Sequence, residues 1–322
     1  MKRPLTMPRI SIPDDSPPVL ATSAVFPVLR ARAQLDYYDT LPCTEDVLTE
    51  RIGAAEVVLN IRASSRFTAR VFAACPKLRL LSVWGTGTDH VDLASAARHG
   101  VTVTHTPGVS ARSIAEHALA LLFAVARRIP EMDAATRLGT WPRGRGIELY
   151  GKTCGVVGYG AIGRHFARLA AALGMRVIVW TMHPARYPGV DFVELDEIFA
   201  TSDVVSLHVR LSPRTEGFVN AAQFARMKPG AILINTARGA IVHEEALLDA
   251  LSTGRISGAG LDVFATEPLP RNHPFNVLGN VVLTPHCAGI TPEALEAGLR
   301  MAVDNIWDFL EGRTKNQVGG GL

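Results

Sequence analysis

Three short stretches in the last third of the chain put an arginine, a carboxylate and a histidine just beyond apolar runs that read as strands. They are Arg238 in "INTARGAIVHEEAL", Glu267 in "GLDVFATEPLP" and His286 in "LTPHCAGITPEA". Together these groups can act on a 2-oxo acid. Arg238 offers a planar fork of donors that can grip a carboxylate and polarise the neighbouring carbonyl. His286 suits general acid work at neutral pH, giving a proton to a carbonyl oxygen in reduction and taking it back in oxidation. Glu267 can orient the imidazole and favour its protonated form. Each residue alone has an ordinary structural explanation; three at successive strand ends, the edge where open α/β sheets bind ligands, form a set. Cys287 adjoins His286, but neighbours in an extended segment point apart, so it reads as lining and not as a nucleophile.

A second motif supplies a cofactor for such a set. In "TCGVVGYGAIGRHFARLAAALGM", Gly158, Gly160 and Gly163 follow an apolar strand and open an Ala/Leu-rich helix. This spacing serves a tight turn, close backbone approach to a pyrophosphate and close helix–strand packing. Backbone N–H groups around Ala161 and Ile162 would face the anion at the positive end of the helix dipole. The next strand runs into "GMRVIVWTMHPAR", where an acidic residue that binds the adenosine ribose and repels a 2′-phosphate is the usual feature. Thr181 stands there instead, with His183 and Arg186 just beyond. Two readings stay open: NADP, welcomed by those two residues, towards which the pattern leans, or NAD held through other contacts.

These motifs need a scaffold of parallel strands. Short β-branched runs predict strands at Arg9–Ile12, Val57–Asn60, Leu80–Val83 and Val101–Thr104, and a second series at Thr153–Val157, Val177–Trp180, Val204–His208, Ala231–Asn235, Gly258–Leu261 and Val281–Thr284. Helical Ala/Leu segments alternate with them, so the fold class is α/β with two doubly wound parallel-sheet domains. Between the series, "TPGVSARSIAEHALALLFAVARRI" predicts a long helix after Ser110, apolar on more than one face and expected to bury itself between domains or subunits. Glu116 and His117 on it read as core-helix residues without a catalytic role. A last helix is expected over 292–312, begun by Pro292 and stopped by Gly312, packing back on the first domain.

Composition narrows the class. The 322 residues suffice for two domains, and 20% charged with 48% hydrophobic residues is a soluble globular balance without an apolar run long enough to span a membrane. Prolines and charges break "MKRPLTMPRISIPDDSPPVL" before any secretory core forms. Four widely spaced cysteines, Cys43, Cys75, Cys154 and Cys287, fit neither a disulfide scaffold nor a CxxC metal site. A cytoplasmic protein that binds no metal is expected. The net charge of +3 is spread along the chain, which argues against nucleic acid and allows an anionic small substrate.

The motifs, with "GTGTDHVDLASAARHGVTVTHTPG", "SLHVRLSPRTEGFVN" and "MKPGAILINTARGAIVHEEALLDAL", resemble those of the D-isomer-specific 2-hydroxyacid dehydrogenases over about residues 45 to 312. The resemblance implies a Rossmann cofactor domain, residues 109–291, inserted in a flavodoxin-like substrate domain made of 1–108 and 292–322. It implies the catalytic roles given above for Arg238, Glu267 and His286, and a cofactor cleft lined by Ala161, Ile162, Thr181, Val209 and Thr236. Asp262 and the segment 286–289, ending at Gly289, would border the nicotinamide. Backbone N–H groups at Thr86 and Gly87 would bind the substrate carboxylate, and Arg62 matches an arginine that contacts substrate phosphate in phosphoglycerate-type members. A homodimer through the long helix and the segment near Trp141 is also implied. Arg210, where many members have proline, and Thr181 depart from the pattern. A second class, a cofactor-sensing binding protein like the family's corepressor relatives, is open too; the chain shows no long disordered tail to recruit partners.

Overall fold

Strands of four to six residues with apolar side chains on both faces can only be buried as parallel sheets covered twice. The computed structural model describes residues 7–184 and 190–318, and contains two such sheets. The first holds β1 (Arg9–Ile12), β2 (Gln34–Tyr37), β3 (Val57–Asn60), β4 (Leu80–Val83) and β5 (Thr102–Thr104). The second holds β6 (Thr153–Val157), β7 (Arg176–Trp180), β8 (Asp191–Phe192), β9 (Val204–Leu207), β10 (Ala231–Asn235), β11 (Ile256–Leu261) and β12 (Val281–Leu283). Their orders are β2-β1-β3-β4-β5 and β12-β11-β10-β9-β6-β7-β8. Every pairing in them is parallel. These are the flavodoxin-like and the dinucleotide-binding strand orders, so the two doubly wound sheets expected from the sequence are present. Five expected strands gain or lose one or two residues at an end, and β2 and β8 were not anticipated. Both are edge strands, and β2 carries Gln34 and Asp36 where a buried strand would carry apolar residues.

The chain divides into two units, Met1–Ser110 with Thr291–Leu322, and Ala111–Ile290. In the first, alternate residues feed two cores: Ile10, Ile12, Leu59 and Leu80 on one face, Val58, Leu81, Val83 and Val103 on the other. The helix Pro292–Leu310 lays Leu299, Ala302, Val303 and Ile306 into the first of these. Its start is fixed by Thr291, whose hydroxyl accepts from the Ala294 amide at 3.2 Å, and by Pro292 in the first turn.

In the second unit, Val157, Leu207, Leu233 and Leu261 point to one face, and Val156, Val179, Ile232 and Ile234 to the other. The helix Ala111–Ala126 covers the latter with Ala115, Ala118, Leu121 and Leu122. One apolar face of it is therefore taken up by its own sheet, while Leu119 and Phe123 are only partly buried. Two glycines of β11 make the approach close: a Cβ on Gly258 would lie 2.6 Å from the Asn280 carbonyl oxygen and 2.8 Å from Val125, and one on Gly260 2.8 Å from the Leu121 Cβ. Gly258→Ala must therefore displace a backbone carbonyl, an overpacking expected to cost about 1–3 kcal/mol. Urea unfolding that leaves the midpoint of Gly258→Ala at the wild-type value would contradict this packing.

Candidate active site

Arg238 is set by the end of β10. Asn235, 1% exposed, accepts from the Ala237 amide at 3.0 Å through its side-chain oxygen and donates to the Arg238 carbonyl at 3.0 Å. That turn aims the next residue out of the sheet. The following glycine lets two loops meet: a Cβ on Gly239 would lie 1.9 Å from the Phe264 carbonyl carbon and 2.4 Å from the Ala265 nitrogen. No side chain fits there, so the arginine-bearing loop is held against the loop that carries Glu267.

Glu267 faces two donors. Its Oε1 accepts from the Phe264 amide at 3.0 Å, and its Oε2 lies 2.7 Å from His286 Nδ1. Burial pushes its carboxyl up, but the His286 hydrogen bond, the Phe264 amide and the charges of His286 and Arg238 outweigh that and hold it below the ordinary range. The carboxylate therefore stays ionised beside the imidazole. With Nδ1 engaged, Nε2 is the nitrogen placed to exchange a proton with a ligand.

His286 has φ of +52°, in the left-handed region that non-glycine residues rarely enter. The backbone beyond it is tied down by Asp262, 1% exposed, at the end of β11. This carboxylate accepts from the Thr284 hydroxyl at 2.6 Å, the Cys287 amide at 2.9 Å and the Ala288 amide at 2.9 Å. Cys287 is pushed up by burial, by the Asp262 charge and by its hydrogen bond to Asp262, so its thiol keeps its proton and is no nucleophile at neutral pH. His208, at the end of β9, is pushed down to about 3 by burial, so it remains neutral and cannot serve as a proton donor.

The glycine turn lies along the same carboxyl edge. Gly158, at φ +99°, donates from its amide to the Trp180 carbonyl at 2.8 Å. A Cβ there would lie 2.7 Å from the His208 carbonyl and 2.9 Å from Val209, so the ends of β6, β7 and β9 converge at this turn. A Cβ on Gly163 would sit 2.0 Å from the Gly158 oxygen, whereas above Gly160 there is nothing within 4 Å. The helix Ala161–Ala172 starts at Gly160 without a side-chain cap. Open space over an uncapped helix start fits a dinucleotide pyrophosphate, which the backbone of Gly160, Ala161 and Ile162 could hold. Thr181 is half-buried just beyond β7, His183 is exposed, and Arg186 lies outside the described residues. Thr236 is buried at the end of β10, and Gly289 is half-buried after Ala288.

Arg62, Thr86 and Gly87 belong to the first unit, on loops following the adjacent strands β3 and β4. The Trp84 amide donates to the Asn60 carbonyl at 2.8 Å, which joins those loops. The Arg62 guanidinium donates to the Pro17 carbonyl, and burial pushes it down against the pull of Asp15 and Asp14. His105 Nδ1 donates to the Thr86 carbonyl at 3.0 Å, and Thr106 exchanges two hydrogen bonds with Gly85. Trp84 packs on the last helix, since a Cβ on Gly298 would lie 2.2 Å from its indole nitrogen. The reading from sequence missed Asn235 and Thr284 and set His117 aside; polar residues closing apolar strand runs were the available signal for the first two.

Residues 119–288 match the family model of the D-isomer specific 2-hydroxyacid dehydrogenase, NAD binding domain. A glyoxylate reductase of Korarchaeum cryptofilum is 38% identical over 290 residues, 87% of each chain. A D-3-phosphoglycerate dehydrogenase of Mycobacterium tuberculosis is 40% identical over 286 residues, 86% of this chain but 54% of that protein, so the chain spans about half its length. Among solved structures, an acyclic imino acid reductase in complex with NADPH and D-Arg superposes with a TM-score of 0.90 at 30% identity, covering 96% of this chain and 99% of that one. The chain belongs to the D-isomer-specific 2-hydroxyacid dehydrogenase family, and is an oxidoreductase with a nicotinamide-dinucleotide-binding domain.

Proposed function

We propose that the protein reduces a small 2-oxo acid to the D-2-hydroxy acid, and runs the reverse oxidation, with His286 as general acid and base. The observation that carries this is the 2.7 Å contact between His286 Nδ1 and Glu267 Oε2 beside Arg238. The nicotinamide cofactor, when bound, supplies the hydride for the carbonyl carbon. Arg238 binds the substrate carboxylate and draws charge from the adjacent carbonyl. His286 gives the Nε2 proton to the carbonyl oxygen as it gains negative charge, and Glu267 stabilises the imidazolium beforehand. One proton and one hydride are taken up per turnover, and the reverse direction returns both.

The substrate domain in this reading is 1–108 with 292–322, where amides at Thr86 and Gly87 receive the carboxylate and Arg62 an anionic tail. Asp262 and Gly289 border the nicotinamide, while Val209 and Thr236 line the cofactor cleft. Cofactor choice leans to NADP. Thr181 places no negative charge where a 2′-phosphate would lie, His183 is exposed beside it, and a structurally similar reductase carries NADPH. The four cysteines are free thiols, in keeping with a reducing, cytoplasmic compartment. A homodimer is proposed through the helix Ile129–Arg137 and its flanks. This helix has no buried residue, and Leu138 and Trp141 are 82% and 77% exposed.

Initial rates for glyoxylate, hydroxypyruvate, pyruvate, phenylpyruvate and phosphohydroxypyruvate with NADH and NADPH test the activity. Turnover is expected on at least one acid; no oxidation of either cofactor would overturn the reading, and an NADH preference of about tenfold, ~1.4 kcal/mol, would reverse the cofactor choice. His286→Ala should lose about 10²–10⁴-fold in kcat, and wild-type turnover in that variant would remove His286 from its role. In Glu267→Gln the charge favouring the imidazolium is gone, so the pH above which reduction falls off should move lower; an unmoved profile would dissociate Glu267 from the proton transfer. Sedimentation velocity should show a dimer, converted to monomer by Trp141→Asp with Leu138→Asp. A wild-type monomer would exclude the proposed interface.

A further inference from the structure

His117 lies at the site by virtue of how its helix packs. Along the helix Ala111–Ala126, Val125 sits over Gly258 and Leu121 over Gly260. Four helical residues advance about 6 Å and two strand residues about 6.6 Å, so the same register one step further sets residue 117 over residue 262. There His117 Nε2 is 3.6 Å from Asp262 Oδ1 and 2.9 Å from Thr284 Oγ1.

The donor order in this cluster is determined. Thr284 has one hydroxyl hydrogen, and it is directed at Asp262 at 2.6 Å. The contact to His117 can then form only if His117 Nε2 carries a hydrogen and donates it. A chain results: His117 to the Thr284 hydroxyl, the hydroxyl to Asp262, and the Asp262 carboxylate receiving the amides of Cys287 and Ala288. Those amides follow His286 directly. Glu267 therefore holds the His286 ring, while the Asp262 chain holds the backbone at its φ of +52°. Removing the His117 donor leaves a half-buried hydroxyl short of a partner and frees the carboxylate to shift, and a displaced general acid is costly to the chemical step.

We propose that His117 is a positioning residue for the reaction, acting through Thr284 and Asp262 on the backbone that carries His286. The proposal rests on the general acid reading of His286. With the best 2-oxo acid and saturating cofactor, His117→Leu should lose about ten- to a hundredfold in kcat, since a misplacement near 1 Å can have that effect. The KM for the oxo acid should stay within about threefold, because the carboxylate site is untouched. His117→Gln keeps an N–H donor at similar reach and should recover kcat to within about threefold of wild type. Thr284→Val should match the leucine variant, and the double variant should be no worse than either single one.

In a His286→Asn background, His117→Leu should cost nothing more. Wild-type kcat in His117→Leu or in Thr284→Val, a glutamine variant as impaired as the leucine one, or the full leucine penalty persisting over His286→Asn would overturn the proposal. Should His117→Leu fail to fold, the glutamine and Thr284→Val variants decide it alone. His286→Asn with wild-type turnover would instead defeat the general acid reading, a result independent of any His117 variant.

Discussion

A carboxylate with 1% exposure survives inside a protein only when donors replace the water it has lost, and Asp262 has three of them. Thr284 comes from the end of β12 and the Cys287 and Ala288 amides from the loop beyond it, while the Asp262 amide donates to the Asn235 carbonyl at the end of β10. The Asp262 charge thereby ties the end of β11 to β12 and the loop beyond it, and its backbone amide joins them to β10. Arg238, Glu267 and His286 all sit on loops leaving these strands, so Asp262 lies where the three loops begin.

Backbone contact does the rest. Gly239 leaves no room for even a methyl group against Phe264 and Ala265, which locks the arginine loop to the glutamate loop. Gly163 does the same between the Ala161–Ala172 helix and the turn at Gly158, while Gly160 looks into open space. The glycines divide the work: some remove side chains so that protein meets protein, and one removes a side chain so that a ligand can approach. The side chains of Arg238, Glu267 and His286 can then be long and partly exposed, because their anchors are short and buried.

The first unit shows the same economy around a different acid. Asp14 is pushed up by burial and receives the amides of Ile61 and Arg62 and the side chain of Asn60, whose oxygen in turn faces His90 Nε2 at 2.8 Å. An amide oxygen only accepts, so His90 donates from Nε2. This network shapes the loop after β3, next to the one at Thr86 and Gly87.

Much of the molecule was legible in residue order because its signals are local. The parallel strands announce themselves as β-branched runs, the glycine turn by its spacing between strand and helix, and Arg238, Glu267 and His286 by falling after successive strands. The edge strands β2 and β8 escaped notice since an edge needs no apolar run, and His117 read as an inert core residue. What only the tertiary structure decided is which distant groups share a hydrogen bond. His117 meets Thr284 across 167 residues, and Glu267 meets His286 across 19, through helix register and loop contacts set by glycines on other elements. Spacing along a chain encodes a strand or a turn; a proton's path depends on distances of under 3 Å that only close packing fixes.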